Sequence, residues 1–170
     1  VKRFETHVPL ILVRVDCRLL HGQILEAWVP FTQAECVVVA NDEVAQDSLQ
    51  KAIMQLAVPP SVELAVMTVQ EAANTLNDRA WTHKRVICLL ANCQDTLSFF
   101  KAGPHFDKLN LGNLDCTSGK KQVSSSVSLD ETDLRCLKEI SDQGVHIEIR
   151  TVPQHSPRPI KELIRFRRFS

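Results

Sequence analysis

The stretch Asp16-Cys17-Arg18-Leu19-Leu20-His21-Gly22-Gln23 brings together a nucleophile, a cation and a glycine. A neutral imidazole is a competent nucleophile near neutral pH, because its ordinary pKa is about 6.5. Arg18 stands three positions before His21 and can fork onto anionic oxygens. Gly22 lets backbone come close to a bulky group. If His21 opens a helix, free backbone N–H groups and the helix dipole favour an anion beside it. Phosphoryl transfer needs positioning and charge stabilisation more than covalent machinery, and this loop supplies both. On spacing alone, a solvated or capping histidine at a helix start is the commoner case, so both readings stay open. Cys17 and His21 are four apart, yet no further ligands follow and no CxxC pair exists, so neither a metal site nor a cofactor is expected.

A loop of this kind must be held by a scaffold, and short apolar runs alternate with helical patterns along the chain. PLILVRV, ECVVVA, VELAVM, RVICLL, KLNL and VHIEIRTV read as strands. Between them, Ile24, Leu25 and Trp28 have helical spacing, and Leu49, Ile53 and Leu56 share one helical face expected to lie on the core. Thr68-x-x-Glu71 and Ser128-x-x-Glu131 read as capping boxes, and Gly144 as a helix end. Apolar strands separated by helices imply an α/β fold: a single, mainly parallel sheet with helices on both faces. Such sheets bind ligands at the carboxyl ends of their strands. That edge gathers the Asp16–Gln23 loop, Asn41 and Asp42 after the second strand, and Asn110 and Gly112 at the fifth. Asn41-Asp42 can equally be a helix start, and Asn110 to Asn113 a simple turn. The polar segment 112–126 reads as a long loop. Residues 1–155 read as the domain and 156–170 as a basic tail or short helix.

The chain has 170 residues, 44% hydrophobic and 24% charged, enough for a packed core. Twenty basic and twenty acidic residues balance, which gives no footprint for nucleic acid. The first residues lack a signal-peptide pattern, and no apolar run is long enough to span a bilayer. Several of the six cysteines sit inside apolar runs, so reduced thiols in a cytoplasmic protein are expected.

The segment RVDCRLLHGQILEAWVP resembles the signature of the IIB subunit of the mannose/fructose/sorbose family of the bacterial phosphoenolpyruvate-dependent sugar phosphotransferase system. VVVANDEVAQDSLQKAIMQLAVP, LNLGN, SVSL and GVHIEIRTVP extend the likeness over almost the whole chain. The resemblance implies a cytoplasmic phosphocarrier, a component of a protein-N(pi)-phosphohistidine–sugar phosphotransferase. His21 corresponds to the phosphorylated histidine and Arg18 to the arginine beside it. Arg14, Asp16 and Gln23 correspond to the rest of the signature. The implied partners are a IIA-type phosphohistidine donor and a membrane IIC/IID permease that holds the sugar. The chain departs from the family at Cys17, where an acid is usual, at Asn113, where a second glycine is common, and in its basic end. These departures favour, mildly, a second reading: a regulatory phosphorelay protein of the same fold, not coupled to sugar import. The absence of Gly-rich nucleotide-binding patterns counts against a nucleotide-binding domain.

Overall fold

The computed structural model describes residues 10–115 and 118–163. A seven-stranded sheet forms its centre. The strands are β1 (Leu10–Asp16), β2 (Cys36–Ala40), β3 (Glu63–Met67), β4 (Val86–Leu90), β5 (Lys108–Asn113), β8 (His146–Ile149) and β9 (Arg158–Pro159). Their order is β3-β2-β4-β1-β5-β8-β9. All neighbours pair in parallel except the last two, which are antiparallel. Strand β1 therefore lies mid-sheet between β4 and β5. Its carboxyl end opens onto the edge where ligands of such sheets bind.

Both faces of the central strands are apolar, so alternate residues enter two different cores. Cys36, Val38 and Ala40 join Val13 and Val15 beneath α4 (Val69–Leu76), α5 (Cys93–Lys101) and α6 (Glu131–Asp142). Val37 and Val39 join Ile24, Trp28, Ile87 and Leu89 on the other face. That second face is covered by a π-helical turn, Ile24–Trp28, which continues into α1 (Val29–Thr32). The arrangement is the expected α/β fold with helices on both sides.

Three sequence expectations change. Leu49, Ile53 and Leu56 do lie on one helix, α3 (Ser48–Ala57), which follows α2 (Asp42–Gln46), but they are 69%, 58% and 87% exposed. Periodicity reveals an apolar stripe and not what it faces, and the second core is already filled by the strands, Trp28, Val58 and Val62. The segment 112–126 is no plain loop. Gly112 and Asn113 complete β5, and β6 (Lys121–Ser124) pairs antiparallel with β7 (Val127–Leu129) around a serine turn. The cap of α6 is Asp130 with Asp133, not Ser128 with Glu131. Ser128 lies on β7 and its hydroxyl donates to Asp115 at 2.6 Å. The Thr68–Glu71 capping box is present.

Beyond β8, Arg158 and Pro159 add an antiparallel edge and α7 (Ile160–Leu163) follows, with Ile160 buried. The basic end 164–170 lies outside the described residues.

Candidate functional site

Strand β1 delivers Arg14 and Asp16 to the face that carries Trp28. Both side chains are fully buried. A turn follows, in which the Leu19 amide donates to the Asp16 carbonyl and Leu19 takes a left-handed φ of 56°. A non-glycine residue in that region is uncommon and persists where its surroundings hold it; here the Leu19 side chain is buried. The turn swings Arg18 and His21 back over the end of β1. The His21 carbonyl accepts from the amides of Ile24 and Leu25 at 3.0 and 3.3 Å, so His21 opens the helical segment as expected. The π-helical stretch that follows is a rare geometry, frequent at functional sites.

The Asp16 carboxylate is the hub. Its Oδ2 accepts from Arg14 Nη2 at 3.0 Å, Arg18 Nη2 at 3.1 Å and His21 Nε2 at 3.0 Å. Its Oδ1 accepts from the Arg18 amide at 3.1 Å and Arg18 Nε at 3.0 Å. Burial opposes ionisation, but the bonds from His21 and Arg18 and the charge of Arg14 prevail and hold the carboxyl well below the usual range. Being ionised, Asp16 can only accept, so His21 donates from Nε2, and in a neutral ring that leaves the lone pair on Nδ1. The His21 side chain keeps 16% of its surface exposed.

Arg14 braces this hub from beneath. Its Nη1 donates to Asn110 Oδ1 at 2.6 Å and to the Arg150 carbonyl at 2.9 Å, and its Nη2 to the Thr151 carbonyl at 3.1 Å. The guanidinium lies 5.3 Å from the Trp28 ring centre. Burial lowers its pKa, while Asp16 acts to raise it. Gly112 makes the position possible: a Cβ there would lie 1.9 Å from Arg14 Cζ. Gly22 differs, since a Cβ there would meet nothing within 4 Å. The space around it is open to an incoming group.

Of the residues singled out from sequence, Arg14, Asp16, Arg18, His21, Gln23, Asn110 and Gly112 come together. Gln23 accepts from Arg18 Nη2 at 3.2 Å. Arg18 spends Nε and one Nη on Asp16 rather than standing open for an anion. Asn41 and Asp42 stand apart from this network. Asn41 caps α2 by accepting from the Val44 amide, and Asp42 accepts from the Val69 amide. Both make bonds typical of helix starts. The backbone of Arg150 and Thr151, and Trp28, whose Nε1 donates to the Thr151 carbonyl at 3.1 Å, were missed. Backbone acceptors carry no sequence signal. Trp28 did carry one: seven residues past His21, it shares the helix face that returns beneath it. Among the described residues no cluster of three or more His, Cys, Asp or Glu is arranged to hold a metal.

A family model described as the sorbose subfamily IIB component of the phosphotransferase system matches residues 10–170. The chain belongs to this family. The sorbose-specific EIIB component of Lacticaseibacillus casei is 31% identical over 84% of this chain and 87% of that protein. The mannose-specific EIIAB component of Escherichia coli K12 is 31% identical over 90% of this chain but only 47% of that longer protein. The crystal structure of the IIB domain of the sorbose permease from Klebsiella pneumoniae superposes with a TM-score of 0.86 at 28% identity, covering 94% of this chain and 98% of that one. As a IIB component, the chain works in phosphoryl transfer to sugar; these likenesses lend no support to a relay uncoupled from sugar import. No helix among the described residues is long and apolar enough to cross a membrane.

The cysteines of this IIB component divide. Cys36, Cys88, Cys93 and Cys136 are free and buried, and burial pushes the Cys36 thiol up to about 12. Cys17 is disulfide-bonded, against the expectation of reduced thiols throughout. The packing argument that holds for the other four fails here, because Cys17 sits in the turn after β1 rather than in an apolar run. Cys116 lies outside the described residues.

Proposed function

We propose that His21 is the phosphoryl carrier of this IIB component, with Nδ1, the N(pi) atom, as its nucleophile. The observation that carries the reading is the bond from His21 Nε2 to the ionised Asp16. That bond fixes the tautomer and turns the ring. The Nδ1 lone pair attacks the phosphorus held by the phosphohistidine of a IIA-type donor. A new N–P bond forms as the donor's N–P bond breaks, and the donor imidazole leaves with its electron pair. The ring that results is cationic, with its proton still on Nε2, and the Asp16 carboxylate stabilises that charge. The same charge makes the ring a good leaving group in the next step, transfer to a sugar held by a membrane IIC/IID permease.

Arg18 has one donor nitrogen, Nη1, not used by Asp16 or Gln23. With the first-turn amides of Gly22 and Gln23 it forms the cradle for the phosphoryl oxygens. Arg14 acts from below: it holds Asp16 and touches no substrate. The working place of the protein is the cytoplasm, at the inner face of the membrane where such a permease sits. Residues 1–155 carry this activity. Residues 156–170 are an appendage, of which β9 and α7 dress the far edge of the sheet.

The test is labelling by a phosphorylated IIA-type donor. The chain gains one acid-labile phosphate, and His21→Ala abolishes it without loss of fold. Full labelling of that variant overturns the assignment. Arg18→Ala slows acceptance by roughly ten- to a hundredfold, the worth of a charge-assisted contact of ~1.5–3 kcal/mol. Arg18→Lys recovers only part, because an ammonium cannot fork.

A further inference from the structure

A cavity of about 210 Å³, lined in part by Ile149, opens where the end of β8 meets the β6–β7 turn. Ser124, Ser125 and Ser126 form one wall, and His155, Ser156 and Arg158 another. Arg150 and Thr151 close the back. No carboxylate lines it among the described residues. Arg150 is committed: its guanidinium donates to the carbonyls of Pro153 and His155, and it stacks 5.6 Å from the Trp28 ring and 5.5 Å from that of Phe31. Arg158 is exposed on β9 and holds no ion pair with any described residue. Among the described residues the cavity therefore presents a guanidinium fork without an ion pair, an imidazole and four serine hydroxyls, and no acid.

That set is rich in donors arranged around a small space. A guanidinium fork matches phosphoryl oxygens, and serine hydroxyls, which both donate and accept, suit the hydroxyls of a sugar. The volume lies below the ~300–1,000 Å³ of sites for drug-sized ligands, and suits a phosphate or a phosphorylated monosaccharide better than a nucleotide.

The back wall connects this cavity to His21. The Thr151 carbonyl accepts from Arg14 Nη2 and from Trp28 Nε1, each at 3.1 Å. The same Arg14 Nη2 donates to Asp16, which accepts from His21. A ligand that draws on Thr151 or Arg150 thus acts two side chains away from the imidazole. We propose that this cavity is a second anion site, which takes the phosphoryl group of a small phosphorylated sugar and is felt at His21 through Thr151, Arg14 and Asp16. In a protein that feeds phosphate to sugar, such a site senses the product of its own reaction. The binding itself does not rest on the role given to His21, because it is measured with His21 absent.

The experiment is calorimetry of the full chain with inorganic phosphate, with a hexose 6-phosphate and with polyglutamate, beside NMR of the His21 imidazole. Both phosphates bind the parent and His21→Ala alike. Arg158→Ala weakens them by about tenfold or more, and Arg158→Lys restores part. The sugar phosphate binds more tightly than phosphate, and Ser125→Ala narrows that gap. The His21 ring signals move on binding to the parent and stay still in Arg158→Ala. Loss of binding in His21→Ala would place the anion at the first site and overturn the proposal. So would undiminished binding by an Arg158→Ala variant of unchanged melting temperature, or equal binding of polyglutamate, which would make the cavity a dock for an acidic peptide. Equal affinity for phosphate and sugar phosphate would refute the sugar part. Binding without movement at His21 would refute the coupling.

Discussion

Replacing Gly112 by alanine adds one methyl group, and the structure says where it goes. It arrives 1.9 Å from Cζ, 2.0 Å from Nη2 and 2.4 Å from Nε of Arg14. Ordinary contact begins near 3.4 Å, so the guanidinium must withdraw by about 1.5 Å. It has nowhere to go without loss, being fully buried and fixed by four acceptors at 2.6–3.1 Å. Bonds of that length stretched so far cease to be hydrogen bonds. A buried charge parted from its partners costs about 3–5 kcal/mol, a large share of the ~5–15 kcal/mol that holds a domain together. Asp16 also loses one of its two arginine partners, so the bond that sets the His21 tautomer weakens. Urea unfolding of Gly112→Ala is expected to show that loss as a lower midpoint, and ¹⁵N NMR a His21 ring no longer in a single tautomer. Gly22→Ala is the control, since its Cβ meets nothing within 4 Å, and it unfolds within about 0.5 kcal/mol of the parent. If Gly112→Ala also unfolds within that margin with its His21 spectrum unchanged, the bracing role of Arg14 is refuted.

Three further outcomes follow from the same geometry. The folded pKa of Asp16 is depressed, so its contribution to stability is present above the unfolded value of about 3.9 and is lost as pH falls through the folded value. The parent therefore exceeds Asp16→Asn in stability at neutral pH, and acid unfolding curves of the two draw together only below about pH 4; parallel curves down to strong acid would contradict this. Leu56→Ser, at a site 87% exposed, changes unfolding free energy by no more than about 0.5 kcal/mol, whereas a core position would cost several times that in a thermal melt. Leu19→Gly relieves the left-handed strain at φ 56° but empties a buried site, so its unfolding midpoint falls rather than rises.

The sequence made the sheet legible because β2 and β4 are apolar on both faces, and such runs between helices have few other uses. It failed where a pattern has two meanings. The Leu49–Ile53–Leu56 stripe has the period of a core helix, and only the packing shows that its face is outward. Ser128-x-x-Glu131 has the form of a cap, yet Asp130 two residues on takes the position because Ser128 is still in β7. The β6–β7 hairpin is short and polar, so neither alternation nor hydrophobicity announced it.

At the site, residue types were legible and their division of labour was not. Arg18, His21 and Asp16 all stand within six positions, but spacing cannot say which of them is buried. Burial decides the roles. Because Asp16 is wholly enclosed, it draws in Arg14, Arg18 and His21 together, and in the proposed reaction Arg18 meets the phosphoryl group while still holding that carboxylate. Arg18 is thus positioned by the same group that sets the His21 tautomer. Under the roles proposed for His21 and Arg18, loss of Asp16 removes both at once, so Asp16→Asn should depress phosphate acceptance at least as far as Arg18→Ala does, although Asp16 itself holds no part of the phosphoryl cradle.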